Sequence, residues 1–154
     1  MILGVDYDTN QISIVGVEGG MYGASIKLSV DGKLWWDRAV PLGKKFDEFL
    51  SNITEFGVVE YVYVEESLYH FNPKTTIALS FILGIICFCC DTHNFKVKLV
   101  KNTVWKKKVL KNGRADKPEI KEKAIKLLGL ADDKHQDFYD AACIALYGDM
   151  ERSE

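Results

Sequence analysis

The sequence predicts an α/β domain whose mixed sheet, with its first three strands antiparallel, is flanked by helices. Three observations predict it. The first forty residues carry short apolar runs broken by turn chemistry, the middle alternates apolar strands with helical periodicity, and the last third reads as helix. A chain of 154 residues without repeat, low-complexity tract or linker is expected to form one domain over 1–154.

The elements follow in order. Residues 1–7 form a compact apolar run, and Asp8-Thr9-Asn10-Gln11 has turn chemistry. Ile12, Ile14 and Val17 give a second strand. Val30-Asp31-Gly32-Lys33 reads as a hairpin turn leading into a third strand at Leu34-Trp35-Trp36. Phe46, Phe49, Leu50, Ile53 and Phe56 then repeat at helical spacing, with Gly57 as a stop. Residues 58–64 read as a buried strand. Pro73 opens a helix through the apolar segment 77–90, and 95–100 returns to strand. Helices are expected over 102–111, over 116–128 with Asp116 as N-cap and Gly129 as stop, and from 133 to about 150.

Composition narrows the classes. Hydrophobic residues at 47% and charged ones at 27% are ordinary for a water-soluble domain. Met1 runs straight into apolar residues without the basic leader of a signal peptide. The segment 77–90 is fourteen residues, shorter than the roughly 20 of a bilayer crossing. No membrane association is therefore expected, and the place of action is the cytoplasm. Cys87, Cys89, Cys90 and Cys143 show no metal-ligand spacing and read as reduced, buried thiols. The net charge of −2 hides a polarity: 96–126 carries twelve Lys or Arg against three acids, a local +9. Two readings fit that segment, a face for phosphates and a solvated lysine-rich helix surface.

Four acids stand at places suited to chemistry. Asp6 ends the first apolar strand and Glu65 ends the strand before the central helix. Asp137 and Asp140 are three apart, on one helix face. That helix also carries Ala141, Ala142 and Ala145, small enough to let it approach a sheet closely. Each acid alone suits an ordinary strand end or helix start. Together they form a set of hard oxygen ligands for Mg²⁺, with Mn²⁺ able to substitute, as metal-dependent phosphodiester cleavage requires.

The chain resembles the RuvC family of Holliday junction resolvases over most of its length. The resemblance lies in Ile2-Leu3-Gly4-Val5-Asp6, in Val64-Glu65 followed by Asn72, and in the helix around Gly84. It continues in Lys106 followed by Gly113, Ala115 and Lys117, and in Gln136-Asp137-Phe138-Tyr139-Asp140-Ala141. The resemblance implies an RNase H-like fold and a homodimer that grips a four-way DNA junction and nicks two strands symmetrically. It implies that Asp6, Glu65, Asp137 and Asp140 are the catalytic metal ligands, with Lys106 and Lys117 near the scissile phosphate. Lys107, Lys108, Lys111 and Arg114 then join the candidate DNA surface, although each lysine taken singly also reads as ordinary surface.

Departures from the pattern fall where substrate would be read. Asp6 is followed by Tyr7-Asp8 rather than the Pro-Gly usual in bacterial members. Asp8 either joins the site or caps an Asx turn. Leu68 stands where bacterial members carry a junction-inserting aromatic, with Tyr69 and Phe71 close by to stack on a base or pack under the loop. The helix over 74–91 is apolar all round, which suits either a twofold dimer seam or full burial within the chain. His135 either helps move a proton or faces solvent. A broader branched-DNA nuclease, as in a viral or phage relative, a non-catalytic junction-binding protein and an RNase H acting on hybrids are the competing functions.

Overall fold

A computed structural model describes residues 1–53, 57–66 and 72–153. Five strands form one sheet: β1 (Ile2–Tyr7), β2 (Gln11–Glu18), β3 (Met21–Ser29), β4 (Tyr61–Glu65) and β5 (Lys96–Val100). Their order is β3-β2-β1-β4-β5. The β1–β2 and β2–β3 pairs are antiparallel, and β1–β4 and β4–β5 are parallel. This is the mixed, RNase H-like sheet that the resemblance implies.

Side-chain alternation along the strands sorts the molecule into two cores. Leu3, Val5, Ile12, Ile14, Val62 and Val64 pack under α1 (Trp35–Ile53) and α2 (Pro73–Thr92). Ile2, Val15, Val17 and Tyr63 pack on the other face, under α3 (Asn102–Leu110), α4 (Lys117–Leu128) and α5 (Gln136–Arg152). The residues alternating with the first group, including Asp6 and Glu65, thus face the α3–α5 layer.

Glycine sets how closely α5 lies on the sheet. A Cβ on Gly4 would stand 2.2 Å from the Ala141 carbonyl oxygen and 2.3 Å from the Ala145 nitrogen. A Cβ on Gly148 would meet the Tyr63 ring at 2.5 Å. Helix α5 therefore rests backbone-to-backbone on β1, as the alanines of that helix suggest. Ala141, Ala142 and Ala145 are fully buried.

Several sequence expectations need correction. The third strand is β3, not residues 34–36, and the hairpin turn is Gly19-Gly20 rather than Asp31-Gly32. Both glycines have positive φ, 57° and 75°, as a two-residue hairpin of this kind needs. Strand β3 lies at the sheet edge and only Leu28 on it is buried, so no apolar alternation marks it. Trp35-Trp36, aromatic and strand-like in propensity, instead opens α1. That helix starts well before Phe46 because Ala39, Leu42, Gly43, Phe46, Leu50 and Ile53 form one buried stripe. Strand β4 begins at Tyr61, and Val58, assigned to it from sequence, is 80% exposed. Helix α5 begins at Gln136, three residues later than expected.

Helix α2 runs to 20 residues and is, by length and composition, apolar enough to cross a membrane. One side of it, Ala78, Leu79, Ile82, Ile86, Cys89 and Cys90, is buried against the fold. The other side is not: Ile77, Phe81 and Phe88 are 56%, 48% and 72% exposed. The described residues thus leave one side of α2 uncovered. The four cysteines are free, and burial pushes the Cys90 and Cys143 thiols up to about 12.

Candidate active site

The register of the sheet brings the site residues into one rank. Lys27 on β3 pairs with Ser13 on β2, and Ser13 pairs with Asp6 on β1. Val5 pairs with Val64 on β4, so Asp6 stands beside Glu65, which pairs with Val100 on β5. Because the strand period is two, the side chains of this rank share a face, and that face looks at α5.

Helix α5 closes the site from above. Its entry is fixed by Tyr139, whose buried hydroxyl donates to the Ala131 carbonyl at 2.9 Å and accepts from the Lys134 amide at 3.2 Å. One turn of helix then puts Asp137 and Asp140 over Asp6. One carboxylate oxygen from each of the three lies within 4.8 Å of the others. Asp6, Asp137, Asp140 and Glu65 line one cavity of about 370 Å³, with Tyr7, Asp8, Gln11, Glu66, Leu79 and Lys117.

The electrostatics are those of acids held together against their repulsion. Burial, reinforced by Asp140, Glu65 and Asp137, raises the Asp6 carboxyl well above the usual range, opposed by a hydrogen bond from the Tyr7 backbone. Burial raises Asp140 to about 6, with Glu65 and Asp137 adding to the rise and Gln136 and Lys106 opposing it. The three clustered donors are hard oxygens from one strand and one helix, and Glu65 of a second strand lines the same cavity. This donor set fits a divalent cation such as Mg²⁺ or Mn²⁺ and suits neither a soft metal nor an organic cofactor.

Glu65 is oriented separately. Its carboxylate accepts from the Asn102 amide at 3.1 and 3.2 Å and from the Trp105 indole at 2.8 Å. Asp137 is held by the Gln11 amide at 2.6 Å, with the Lys27 ammonium 3.7 Å away.

The basic residues divide into two groups. Lys117 lines the acidic cavity, and Lys106 lies near enough to act on Asp140 while its ammonium donates to the Ala115 carbonyl at 3.1 Å. Lys107, Lys108, Lys111 and Arg114 line a separate open groove of about 740 Å³ between α3 and the end of α5. Within it Lys108 pairs with Glu151. Leu68, Tyr69 and Phe71 lie outside the described residues.

Asp8 accepts from the adjacent Thr9 amide at 2.6 Å, one residue short of the i+2 contact of an Asx turn, and borders the cavity. His135 is the exposed N-cap of α5, which supports its solvent-facing reading. Sequence reasoning missed Gln11, Lys27, Asn102 and Trp105. A signal existed for the last two, since a three-residue spacing on a helix puts both on one face. Lys27 was hidden because its strand was not recognised.

Known proteins share this fold. The crossover junction endodeoxyribonuclease RuvC of Caldicellulosiruptor saccharolyticus is 31% identical over 98 residues, 63% of this chain and 59% of that protein. The match thus spans about three fifths of that relative's length. Thermus thermophilus RuvC in complex with Holliday junction substrate superposes with a TM-score of 0.81 at 19% identity, over 97% of this chain and 95% of that one. A second Thermus thermophilus RuvC structure gives 0.80 at 19% identity, over 99% and 95%. The fold is that of RuvC. The family model described as Lactococcus phage M3 protein matches residues 5–150, nearly the whole chain, and to that family this chain belongs.

Proposed function

We propose that this chain is a Holliday junction resolvase, an endodeoxyribonuclease that makes paired symmetric nicks in four-way DNA junctions with Mg²⁺, or Mn²⁺ in its place. The observation that carries the reading is the convergence of Asp6, Asp137 and Asp140 on a RuvC-like fold, with Glu65 in the same cavity. Two such cations, when bound, supply the activation of water and the charge neutralisation that phosphodiester hydrolysis needs. Asp6, Glu65, Asp137 and Asp140 are the ligands in this reading. Gln11 holds Asp137 in its rotamer. Lys117 and Lys106 offset the negative charge of a phosphate entering the cavity.

The groove of Lys107, Lys108, Lys111 and Arg114 takes the backbone of a DNA arm, as lysine and arginine surfaces do through phosphate contacts. Leu68, Tyr69 and Phe71 are assigned to unpaired bases on sequence grounds alone. We assign residues 1–154 to one catalytic domain acting in the cytoplasm.

A homodimer through α2 completes the reading. Ile77, Phe81 and Phe88 fall at i, i+4 and i+11, one stripe of the helix, and Gly84 lies on the same stripe with open space beside its Cα. A glycine there lets a second helix come close, and a twofold pair would present two sites for two nicks. Phe88→Asp is expected to turn a dimer into a monomer in sedimentation; an unchanged dimer would remove α2 from the interface.

The deciding experiment compares a mobile four-way junction, a Y-fork and a duplex with identical arms, in Mg²⁺ and in Mn²⁺, beside Asp137→Asn. Paired nicks in the junction alone are expected, with Asp137→Asn binding the junction but not cutting it. Equal cutting of the fork favours a broader branched-DNA nuclease. No cutting with either cation overturns the enzyme.

A further inference from the structure

A single residue, Lys101, separates the end of β5 from the start of α3, so the first turn of α3 is delivered to the sheet edge beside Glu65. Asn102 and Trp105 occupy one face of that turn. Trp105 is fully buried, and its only polar atom, the indole nitrogen, is a donor with no accepting capacity. That hydrogen is spent on Glu65 Oε2 at 2.8 Å. The Asn102 amide spans both oxygens, at 3.1 Å to Oε1 and 3.2 Å to Oε2. Glu65 is thus a carboxylate whose two oxygens are both already engaged.

The contrast with the three aspartates is informative. Asp6, Asp137 and Asp140 converge within 4.8 Å, and Glu65 is not in that group. A glutamate has one more rotatable bond than an aspartate and more orientations to lose when it takes a ligand. Charge-assisted hydrogen bonds from a buried indole and a primary amide restrict it to one. Each oxygen keeps lone-pair capacity, since a carboxylate offers about four acceptor sites.

We propose that Trp105 and Asn102 are positioning residues for Glu65, holding its carboxylate in the orientation in which it meets a divalent cation. The inference rests on the metal-dependent reading above and assigns a function to two residues outside the acidic quartet. They touch neither substrate nor cation. Their effect passes through Glu65, as the hydrogen-bond partners of metal-ligating carboxylates generally act. Trp105 also explains why a large aromatic sits immediately before Lys106: one helical turn fixes Glu65 with its buried side and sends Lys106 toward Asp140 with the next residue.

The test is a Mn²⁺ titration of the full chain by calorimetry, for wild type, Trp105→Phe, Asn102→Ala, Glu65→Gln and the two combinations with Glu65→Gln. Trp105→Phe and Asn102→Ala should each weaken Mn²⁺ binding about tenfold, at the lower end of what such partners contribute. Neither should weaken it further once Glu65 is Gln, because the effect passes through that carboxylate. A spectroscopic readout accompanies it. With Trp35 and Trp36 replaced by Phe, Trp105 emission should shift on Mg²⁺ addition, and the shift should vanish with Glu65→Gln. A purely structural tryptophan would give additive losses and no such shift. If Trp105→Phe does not fold, Asn102→Ala, partly exposed at the helix start, decides alone. If the variants bind Mn²⁺ as wild type does while Glu65→Gln weakens it, this inference falls and the metal-dependent reading stands. If wild type takes up no Mn²⁺, both fall together.

Discussion

At the N-terminal end of α5, Asp137 and Asp140 face the carboxylate of Asp6 across the cavity. At the C-terminal end, roughly 18 Å further along the axis, Asp149 is held by donors. The amides of Gly19 and Gly20 reach it at 3.2 and 2.6 Å, and the Arg152 guanidinium at 2.8 Å. Asp149 is buried as well, but it is met by hydrogen-bond donors, whereas burial and neighbouring acids together push Asp6 and Asp140 up. One end of the helix pins the β2–β3 turn to the fold. The other gathers charges that oppose one another until something positive arrives. The difference sets an acid satisfied by donors apart from acids that, in the function proposed above, serve chemistry, on a single element.

The largest expected effect comes from breaking what both ends share. Gly4→Ala puts a methyl group within 2.3 Å of two backbone atoms of α5, which no side-chain rotation relieves. Overpacking against backbone should cost more than about 3 kcal/mol. Urea unfolding should show a protein that is unfolded or strongly destabilised, with Mn²⁺ binding lost as well. A stable, metal-binding Gly4→Ala would mean that α5 can lift from β1 without disturbing either end.

Next is the C-terminal end alone. Asp149→Ala leaves two amides and a guanidinium without their acceptor, a loss of about 2–4 kcal/mol. The Arg152–Glu60 contact at 2.5 Å persists, so the guanidinium is not wholly abandoned. Calorimetric melting should show the loss, while Mn²⁺ affinity of the folded protein stays at the wild-type value. A coupled fall in metal affinity would show that the two ends of α5 are not separable.

This comparison was half visible in the amino-acid sequence. Asp137 and Asp140 could be named because a three-residue spacing on a helix is a local property, and the alanines beside them announced a close approach to a sheet. Asp6 and Glu65 were legible as charges ending apolar strands. Asp149 was not singled out, since its partners lie about 130 positions away at Gly19 and Gly20. The same blindness cost the third strand. An edge strand with one buried residue lacks alternation, and Asp31-Gly32 carries a hairpin signal as strong as that of Gly19-Gly20. Lys27 and Gln11 were lost with it, because their nearness to Asp137 exists only once β2 and β3 are registered beside β1. Helix α4 was read to the residue because its signals are local: the Asp116–Glu119 capping box and Gly129 at positive φ.

The smallest effect has the opposite sign and sharpens the contrast most. Asp140 is raised from 3.8 to about 6 in the folded chain, chiefly by burial and with neighbouring acids adding to it. A carboxyl that binds its proton more tightly when folded loses stability for the fold as pH rises from about 4 to about 6. At pH 7.5, without metal, the charged Asp140 is therefore a liability. Asp140→Asn should stabilise the protein in EDTA at pH 7.5 by roughly 1–2 kcal/mol, discounted for partial exposure. The gain should shrink toward nothing near pH 4.5, where wild type is protonated there. Adding Mn²⁺ should reverse the order at pH 7.5, because a cation that binds the native state stabilises wild type and has lost a ligand in the variant. Melting curves of the two proteins at both pH values, with and without Mn²⁺, test all three signs. If Asp140→Asn is less stable than wild type in EDTA at pH 7.5, the N-terminal end of α5 is built for stability as the C-terminal end is, and the contrast between them is lost.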